Sequence, residues 1–433
     1  MDAELFNSTI RKMGLEDFSK ANIRDIATLS RILEKESGEP CIHLEMGVPG
    51  LKPSQIGIEA EAKALAEGCA AIYPPNGGIP RLKDAASRFV KAFIGIDVQL
   101  QNCIATTGSM QGTYAIFTTL HHAVPEKDTV LFVHPGFPVQ TTQCEMIGLR
   151  PIGFDIHDCR GTELLAKLEE FLQTGRIAAI VYSNPNNPSW VCFNEDELKG
   201  IGELATKYDT IVLEDLAYFA MDFRRDLSKP FEAPYQATVA RYTENYILTI
   251  SGSKAFSYAG QRIGVCVIGD QLAQRTFQPL LRFGIGEFAR FLYDRVMYTL
   301  SSGVCHSSQH ALAAMMETAC EGSFDFVAEV REYGVRAARM KEILLANNFY
   351  LVYDNDLGAP LADGFYFTAQ YPGLTAVELT RDLLFYGIAV FPLNTMGSQQ
   401  EGVRICTSFI TQEQMPLFEE RIRKFNESHR ARN

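Results

Sequence analysis

The chain is 433 residues long, 46% hydrophobic and 21% charged, with a formal net charge of −12 at pH 7. That length exceeds what a single hydrophobic core organises, so two lobes are expected, and the composition is that of an ordered globular protein. The acidic balance argues against a nucleic-acid or anionic-membrane partner, since either needs a basic face.

The first residues, Met1-Asp2-Ala3-Glu4, lack the basic start and apolar stretch of a signal peptide. No run reaches the apolar length of a membrane span. The ten cysteines are scattered, with no CxxC pair and no Cys/His cluster at metal-ligand spacing. Reduced thiols in a cytoplasmic protein, with no metal site, are the expectation.

In chain order, the stretch from Asp17 to Gly38 reads as helical. Leu44-Glu45-Met46-Gly47-Val48-Pro49 and Tyr73-Pro74-Pro75-Asn76-Gly77-Gly78 follow as turn-rich segments. Ile104-Ala105-Thr106-Thr107-Gly108-Ser109-Met110-Gln111-Gly112 is a small-residue loop leading into an apolar helical stretch. Short apolar, β-branched runs come next: Thr129–Val133, Ile177–Tyr182, Thr210–Leu213, Tyr246–Ile250 and Arg262–Ile268. Their hydrophobicity is continuous rather than alternating, as in strands buried on both faces of a sheet. The amphipathic segment Glu195–Tyr208 suits a crossover helix, so an α/β domain with a mostly parallel sheet is predicted. Beyond about residue 310 the pattern is a helix, short strands at Tyr350–Tyr353, Gly364–Thr368, Ile388–Phe391 and Val403–Thr407, then a C-terminal helix. A smaller α+β domain fits it. The predicted division is 1–55 as N-terminal arm and part of the small domain, 56–310 as the large domain and 311–433 as the small C-terminal domain.

The chemistry-bearing residues fall just after predicted strands, where open α/β sheets bind ligands. A small-residue loop at a helix start presents backbone N–H groups and a positive dipole end to an anion. A lysine deprived of solvent near other cations has a depressed pKa and suits Schiff-base chemistry. Arg404, inside the apolar strand Val403-Arg404-Ile405, is costly to bury without an anionic partner. Gly284-Ile285-Gly286-Glu287-Phe288-Ala289 mimics a dinucleotide fingerprint but does not follow a strand, so it is set aside.

Taken together, Ser251-Gly252-Ser253-Lys254-Ala255-Phe256-Ser257-Tyr258-Ala259-Gly260-Gln261-Arg262-Ile263-Gly264 and its companions resemble the class I/II aminotransferases, pyridoxal-phosphate enzymes of fold type I. The resemblance runs from Gly47 to Arg404. It implies that Lys254 carries pyridoxal 5′-phosphate as a Schiff base, with Ser251, Ser253 and Arg262 among the cofactor-binding residues. Gly108, Ser109 and Met110 match the phosphate cup. Asp215 in Glu214-Asp215-Leu216-Ala217-Tyr218 matches the carboxylate on the pyridine nitrogen, and Tyr218 a donor to the phenolic oxygen. Asn187 in Asn184-Pro185-Asn186-Asn187-Pro188-Ser189-Trp190 matches a second donor there, on both the cofactor and substrate sides. Trp190, the only tryptophan, stands where the family has glycine, which leaves the turn and the pocket shape open. Phe137 falls where an aromatic ring stacks on the cofactor. Gly47 and Arg404 match substrate-side positions, Arg404 for the α-carboxylate. Tyr73, with Ser302 loosely beside it, matches a group that reaches the neighbouring subunit's phosphate, which implies a homodimer.

On this reading Lys254, Asp215 and Tyr218 are catalytic, and the substrates are an L-amino acid and a 2-oxo acid. Carbon–sulfur β-lyases and aminocyclopropane-carboxylate synthases share the same motifs and remain alternatives. A non-enzymatic regulator would need an added DNA-binding module and a basic surface. The donor and acceptor stay open, and so does whether Arg282 or Arg290 binds a distal carboxylate.

Overall fold

The apolar runs become strands in a computed structural model, which describes residues 1–430. Their sheet contains β1 (Cys103–Thr106), β2 (Thr129–His134), β3 (Arg150–Asp155), β4 (Ile177–Ser183), β5 (Ile211–Leu216), β6 (Tyr246–Ser251) and β7 (Gly264–Ile268). The spatial order is β1-β7-β6-β5-β4-β2-β3. All neighbours are parallel except β7, which runs antiparallel to β1 and β6. Every residue of β1, β5, β6 and β7 is buried, as continuous apolar runs between two helical layers require. Helices cover the connections. α1 (Gly108–Ala123) follows β1, and α2 (Glu195–Lys207) joins β4 to β5, opened by an Asn194/Glu197 capping box. The sheet belongs to a larger unit, Leu51–Pro185 with Cys192–Val330.

The smaller unit gathers Met1–Gly50, Asn186–Val191 and the chain from Arg331 onward. Its antiparallel sheet is ordered β10-β11-β9-β8, where β8 is Tyr350–Leu351, β9 Tyr366–Gln370, β10 Phe391–Pro392 and β11 Val403–Cys406. Apart from this sheet, Ile42–His43 pairs in parallel with Ile388–Ala389. Helices Ala3–Met13 and Ile23–Ser37, capped by Asp2 and by an Asn22/Asp25 box, bury Phe6, Ile10, Ile26, Leu29 and Leu33 in a cluster with Leu384, Phe391 and Met396. Helix Met415–Arg430 follows near the C-terminal end.

Several expected bounds change for identifiable reasons. The run Arg262–Ile268 yields a strand only from Gly264, because Arg262 closes a 3₁₀ turn in the left-handed region, φ 51°. Tyr350–Tyr353 shortens to two residues, and Ile388–Phe391 splits into two two-residue strands. The edge strand β3 carries Pro151 and Gly153, which interrupt its apolar pattern and are tolerated at an edge. Gly284 caps a 3₁₀ segment, Gln278–Phe283, so the fingerprint-like stretch indeed follows no strand. Among the described residues, no helix is long and apolar enough to cross a membrane.

Candidate active site

In the larger unit the register collects the polar residues at one end of the sheet. Ser251 pairs with Gly264, Gly264 with Thr106, and Asp215 with Thr249, two residues before Ser251. β1 therefore delivers Thr107 and Gly108 to the same end as the carboxyl ends of β5 and β6. Gly108 starts α1 at φ 64°, and a side-chain carbon placed on it would fall 2.6 Å from Nη2 of Arg262. The guanidinium thus lies across the first turn of a 16-residue helix, anchored by Nη1 donating to the Ala259 carbonyl at 3.0 Å. A left-handed non-glycine residue is disfavoured by about 1–2 kcal/mol, and at Arg262 that conformation accompanies this aim.

Beside it, Ser109 Oγ and Thr106 Oγ1 are buried with no hydrogen-bond partner in the structure. Buried hydroxyls are ordinarily satisfied, so two orphans at a helix start beside a guanidinium describe an anion cradle. Ser251 Oγ accepts from the Ser253 amide at 3.1 Å. Met110 is exposed, and its carbonyl accepts from Gln143 Nε2 at 3.0 Å.

Asp215 is buried and accepts from Thr249 Oγ1 at 2.8 Å, Gln140 Nε2 at 3.2 Å and the Ala217 amide at 3.2 Å. All three donors are neutral. Burial raises the pKa of its carboxyl above the usual range, and the three hydrogen bonds only partly oppose this. A cationic partner is what this carboxylate lacks. Tyr218, two residues past the end of β5, is buried. Phe137 is half-buried at the start of helix Pro138–Ile147.

Lys254 is half-buried in the turn after β6. Gly252 donates to Ile263 O at 3.0 Å, Tyr258 to Gly252 O at 3.0 Å and Ser257 to Lys254 O at 3.1 Å, so the turn is tied at both ends. Tyr258 Oη donates at 2.7 Å to Glu61, a buried carboxylate that also accepts from Ser307 Oγ at 2.9 Å. Tyr73 stands almost fully exposed at 85%. Ser302 is a left-handed helix cap, and the hydroxyl that reaches Gln111 belongs to Ser301, at 2.8 Å. Arg282 is engaged by His122 and the Phe283 ring, and Arg290 by Glu287 and Asp294.

The smaller unit holds Arg404, Asn187, Gly47 and Trp190. Arg404 is 2% exposed, yet its partners are all uncharged. Nη2 donates to the Glu45 carbonyl and Nη1 to Asn187 Oδ1 at 3.4 Å, while Nε is buried without a partner. The guanidinium carbon lies 4.8 Å from the Tyr366 ring centre and 5.7 Å from that of Phe391. The Glu45 carboxylate takes Nδ1 of His43 at 3.1 Å, and this contact raises the pKa of the imidazole above its ordinary value despite burial. A buried guanidinium with an idle N–H and no carboxylate partner is built for an incoming anion. Gly47 closes on Tyr366, since a side-chain carbon there would fall 1.8 Å from the hydroxyl oxygen.

A family model for class I and II aminotransferases matches residues 39–422. The chain belongs to that family. An aspartate aminotransferase of Pyrococcus horikoshii is 29% identical over 59% of this chain and 62% of its own length. A probable aspartate/prephenate aminotransferase of Thermus aquaticus is 24% identical over 85% and 87%. The chain spans about three-fifths of the length of the first of these relatives. Among solved structures, an aspartate aminotransferase of Thermus thermophilus superposes with a TM-score of 0.77 at 20% identity, covering 94% of this chain and 97% of that one. An Escherichia coli protein with a methionine aminotransferase function gives 0.75 at 18% identity, covering 92% and 97%. Both share its fold.

Aspartate-aminotransferase-like members of the family depend on pyridoxal phosphate. The residues of the larger unit fit that group on their own geometry. The orphaned hydroxyls of Thr106 and Ser109 beside Arg262 would suit a phosphate, and Asp215 the cationic edge of a ring. Sequence reasoning did not single out Thr249 and Gln140, which hold Asp215, nor Thr106 in the cradle. It also missed Tyr366 and Phe391 around Arg404. Thr249 was within reach, because it sits two positions before Ser251 on one strand and so shares its face. Nothing local marks Tyr366 or Gln140.

Proposed function

We propose that the protein transfers an amino group between an L-amino acid and a 2-oxo acid, with pyridoxal phosphate linked through Lys254. The observation that carries the reading is Asp215, a buried carboxyl held only by neutral donors, one strand over from the strand that leads to Lys254. Bound pyridoxal phosphate supplies an electron sink for the bond broken at the substrate α-carbon. Asp215 keeps the ring nitrogen protonated, and the ion pair relieves the burial of its carboxylate. Gly108, Ser109, Met110, Ser251, Ser253 and Arg262 bind the phosphate through amides, hydroxyls and a permanent cation. Phe137 stacks on the ring, and Tyr218 and Asn187 donate to its phenolic oxygen. Arg404 takes the substrate α-carboxylate, with Asn187 and Gly47 beside it. Nζ of Lys254 would lift the α-proton as general base and return it as general acid.

The exposed Tyr73, with exposed Ile72, Tyr298 and Leu300 in the same unit, supports a homodimer in which Tyr73 serves the partner. Ten free cysteines support a cytoplasmic location. Relatives described as acting on aspartate, asparagine and kynurenine leave the amino donor open.

The test is the visible absorption of the holoprotein while L-amino acids are added singly, followed by a 2-oxo acid. Bleaching by one amino acid and recovery with the oxo acid are expected, and Lys254→Ala should abolish both. Release of pyruvate and ammonia with no acceptor would overturn transamination in favour of β-elimination. A normal turnover rate in Lys254→Ala would sink the lysine assignment.

A further inference from the structure

Trp190 occupies a position whose backbone suits glycine. Its φ is 63°, in the left-handed region, and its amide closes a turn onto Asn186 O at 2.9 Å. The turn survives the substitution of a large ring for a hydrogen, and the ring needs accommodation. It is fully buried, and three of its atoms lie 2.2–2.3 Å from where a side-chain carbon on Gly364 would be. So the missing side chain of Gly364 leaves the space that the indole fills. A tryptophan needed only for bulk has no reason to adopt a left-handed backbone and exclude every side chain across from it.

What the indole reaches is Tyr366, edge to face, with ring centres 6.2 Å apart at 68°. Tyr366 cannot retreat toward Gly47, whose lack of a side chain its hydroxyl already uses. Held between these walls, the Tyr366 ring faces the Arg404 guanidinium at 4.8 Å. The loop that carries Trp190 also carries Asn187, the amide acceptor for Arg404. One short segment therefore touches the arginine twice, directly through Asn187 and indirectly through the ring that Trp190 braces.

We propose that Trp190 is a positioning residue for Arg404. By fixing Tyr366 it sets the orientation in which the guanidinium meets a substrate carboxylate. The inference rests on the reading of Arg404 as the carboxylate site.

Trp190→Gly is the informative variant, because glycine accepts φ 63° without strain and the turn is kept. KM for the amino donor and for the oxo acid should rise about tenfold, in line with loosening one buried cation–π contact, while kcat changes little. Trp190→Phe should recover most of the loss. The visible spectrum and cofactor affinity should stay as in the unaltered protein. Arg404→Lys is the control for the underlying reading. If it leaves KM unchanged, that reading fails. If it raises KM and Trp190→Gly does not, the positioning role alone is refuted.

Should Trp190→Gly not fold, the native protein supplies a second measurement, since Trp190 is its only tryptophan. Saturation with succinate should shift tryptophan emission, and Arg404→Lys should remove the shift. Succinate that competes with the amino donor yet leaves emission unmoved would overturn the proposal.

Discussion

Replacing Gly108 with alanine separates the cofactor clamp from the rest of the site. The new methyl would stand 2.6 Å from Nη2, 3.1 Å from Cζ and 3.4 Å from Nη1 of Arg262. Ordinary contact needs about 3.5–4 Å, so the guanidinium must withdraw by roughly 1 Å. Arg262 has little freedom to do so, because its backbone is already left-handed and Nη1 is tied to Ala259. Two effects add. Alanine at φ 64° costs about 1–2 kcal/mol of stability. A displaced clamp forfeits a charge-assisted bond to the phosphate, about 1.5–3 kcal/mol. That second loss corresponds to roughly 10–150-fold weaker cofactor binding.

The assay strips the cofactor and titrates pyridoxal phosphate back, following visible absorbance, with unphosphorylated pyridoxal in parallel. Pyridoxal should bind Gly108→Ala and the native protein alike, since only the phosphate clamp is altered. Phosphate-cofactor affinity within about threefold of native, in a folded variant, would falsify the geometry argued for this cradle.

Two further outcomes follow from buried carboxylates. Glu214, on β5 beside Asp215, is fully buried and its pKa is pushed from 4.5 up to about 7 by loss of solvent, against bonds from Thr238, Asn184 and the Val239 amide. The folded state thus binds this proton more tightly than the unfolded chain, so stability falls as pH rises from about 4.5 to about 7 and levels above that. The span is about 3 kcal/mol at roughly 1.4 kcal/mol per pH unit. Glu214→Gln should flatten this slope, and equal urea-unfolding slopes with pH in both proteins would refute it. Tyr258→Phe removes the Tyr258 hydroxyl and leaves Ser307 as a donor to Glu61; it should lower stability by about 1.5–3 kcal/mol in urea unfolding, with refutation by an unchanged midpoint.

Where the sequence spoke clearly, the physical cause is visible. The strands β2, β4, β5 and β6 are buried on both sides and announce themselves as unbroken apolar runs. β1 did not, because only four residues separate a 3₁₀ turn from the glycine loop and Ile104-Ala105-Thr106 reads as part of that loop. Lys254, Asp215 and Arg262 were singled out through motif order, and the structure places Asp215 on β5, Lys254 in the turn after β6 and Arg262 beside Gly108. The braces around Arg404 were not, since Tyr366 and Phe391 meet it by strand pairing, and pairing across long separations leaves no local pattern. Trp190 is instructive in another way. Its departure from glycine raised a doubt about the turn, and the turn kept its glycine-like φ of 63° because Gly364 yields the space.

The smaller unit is assembled from three separate passages of the chain, and that governs the order in which a ribosome lets it form. Ile42 and His43 wait for Ile388 and Ala389, about 345 residues later. At about 5–20 residues per second that interval is roughly 20–70 s. For that time the apolar faces of helices Ala3–Met13 and Ile23–Ser37 lack Leu384 and Phe391, while the larger unit has the whole of its seven-stranded sheet in hand by Ile268. Until Leu384, Phe391 and Met396 are made, the apolar cluster of these two helices stays open on a side that the finished protein no longer presents.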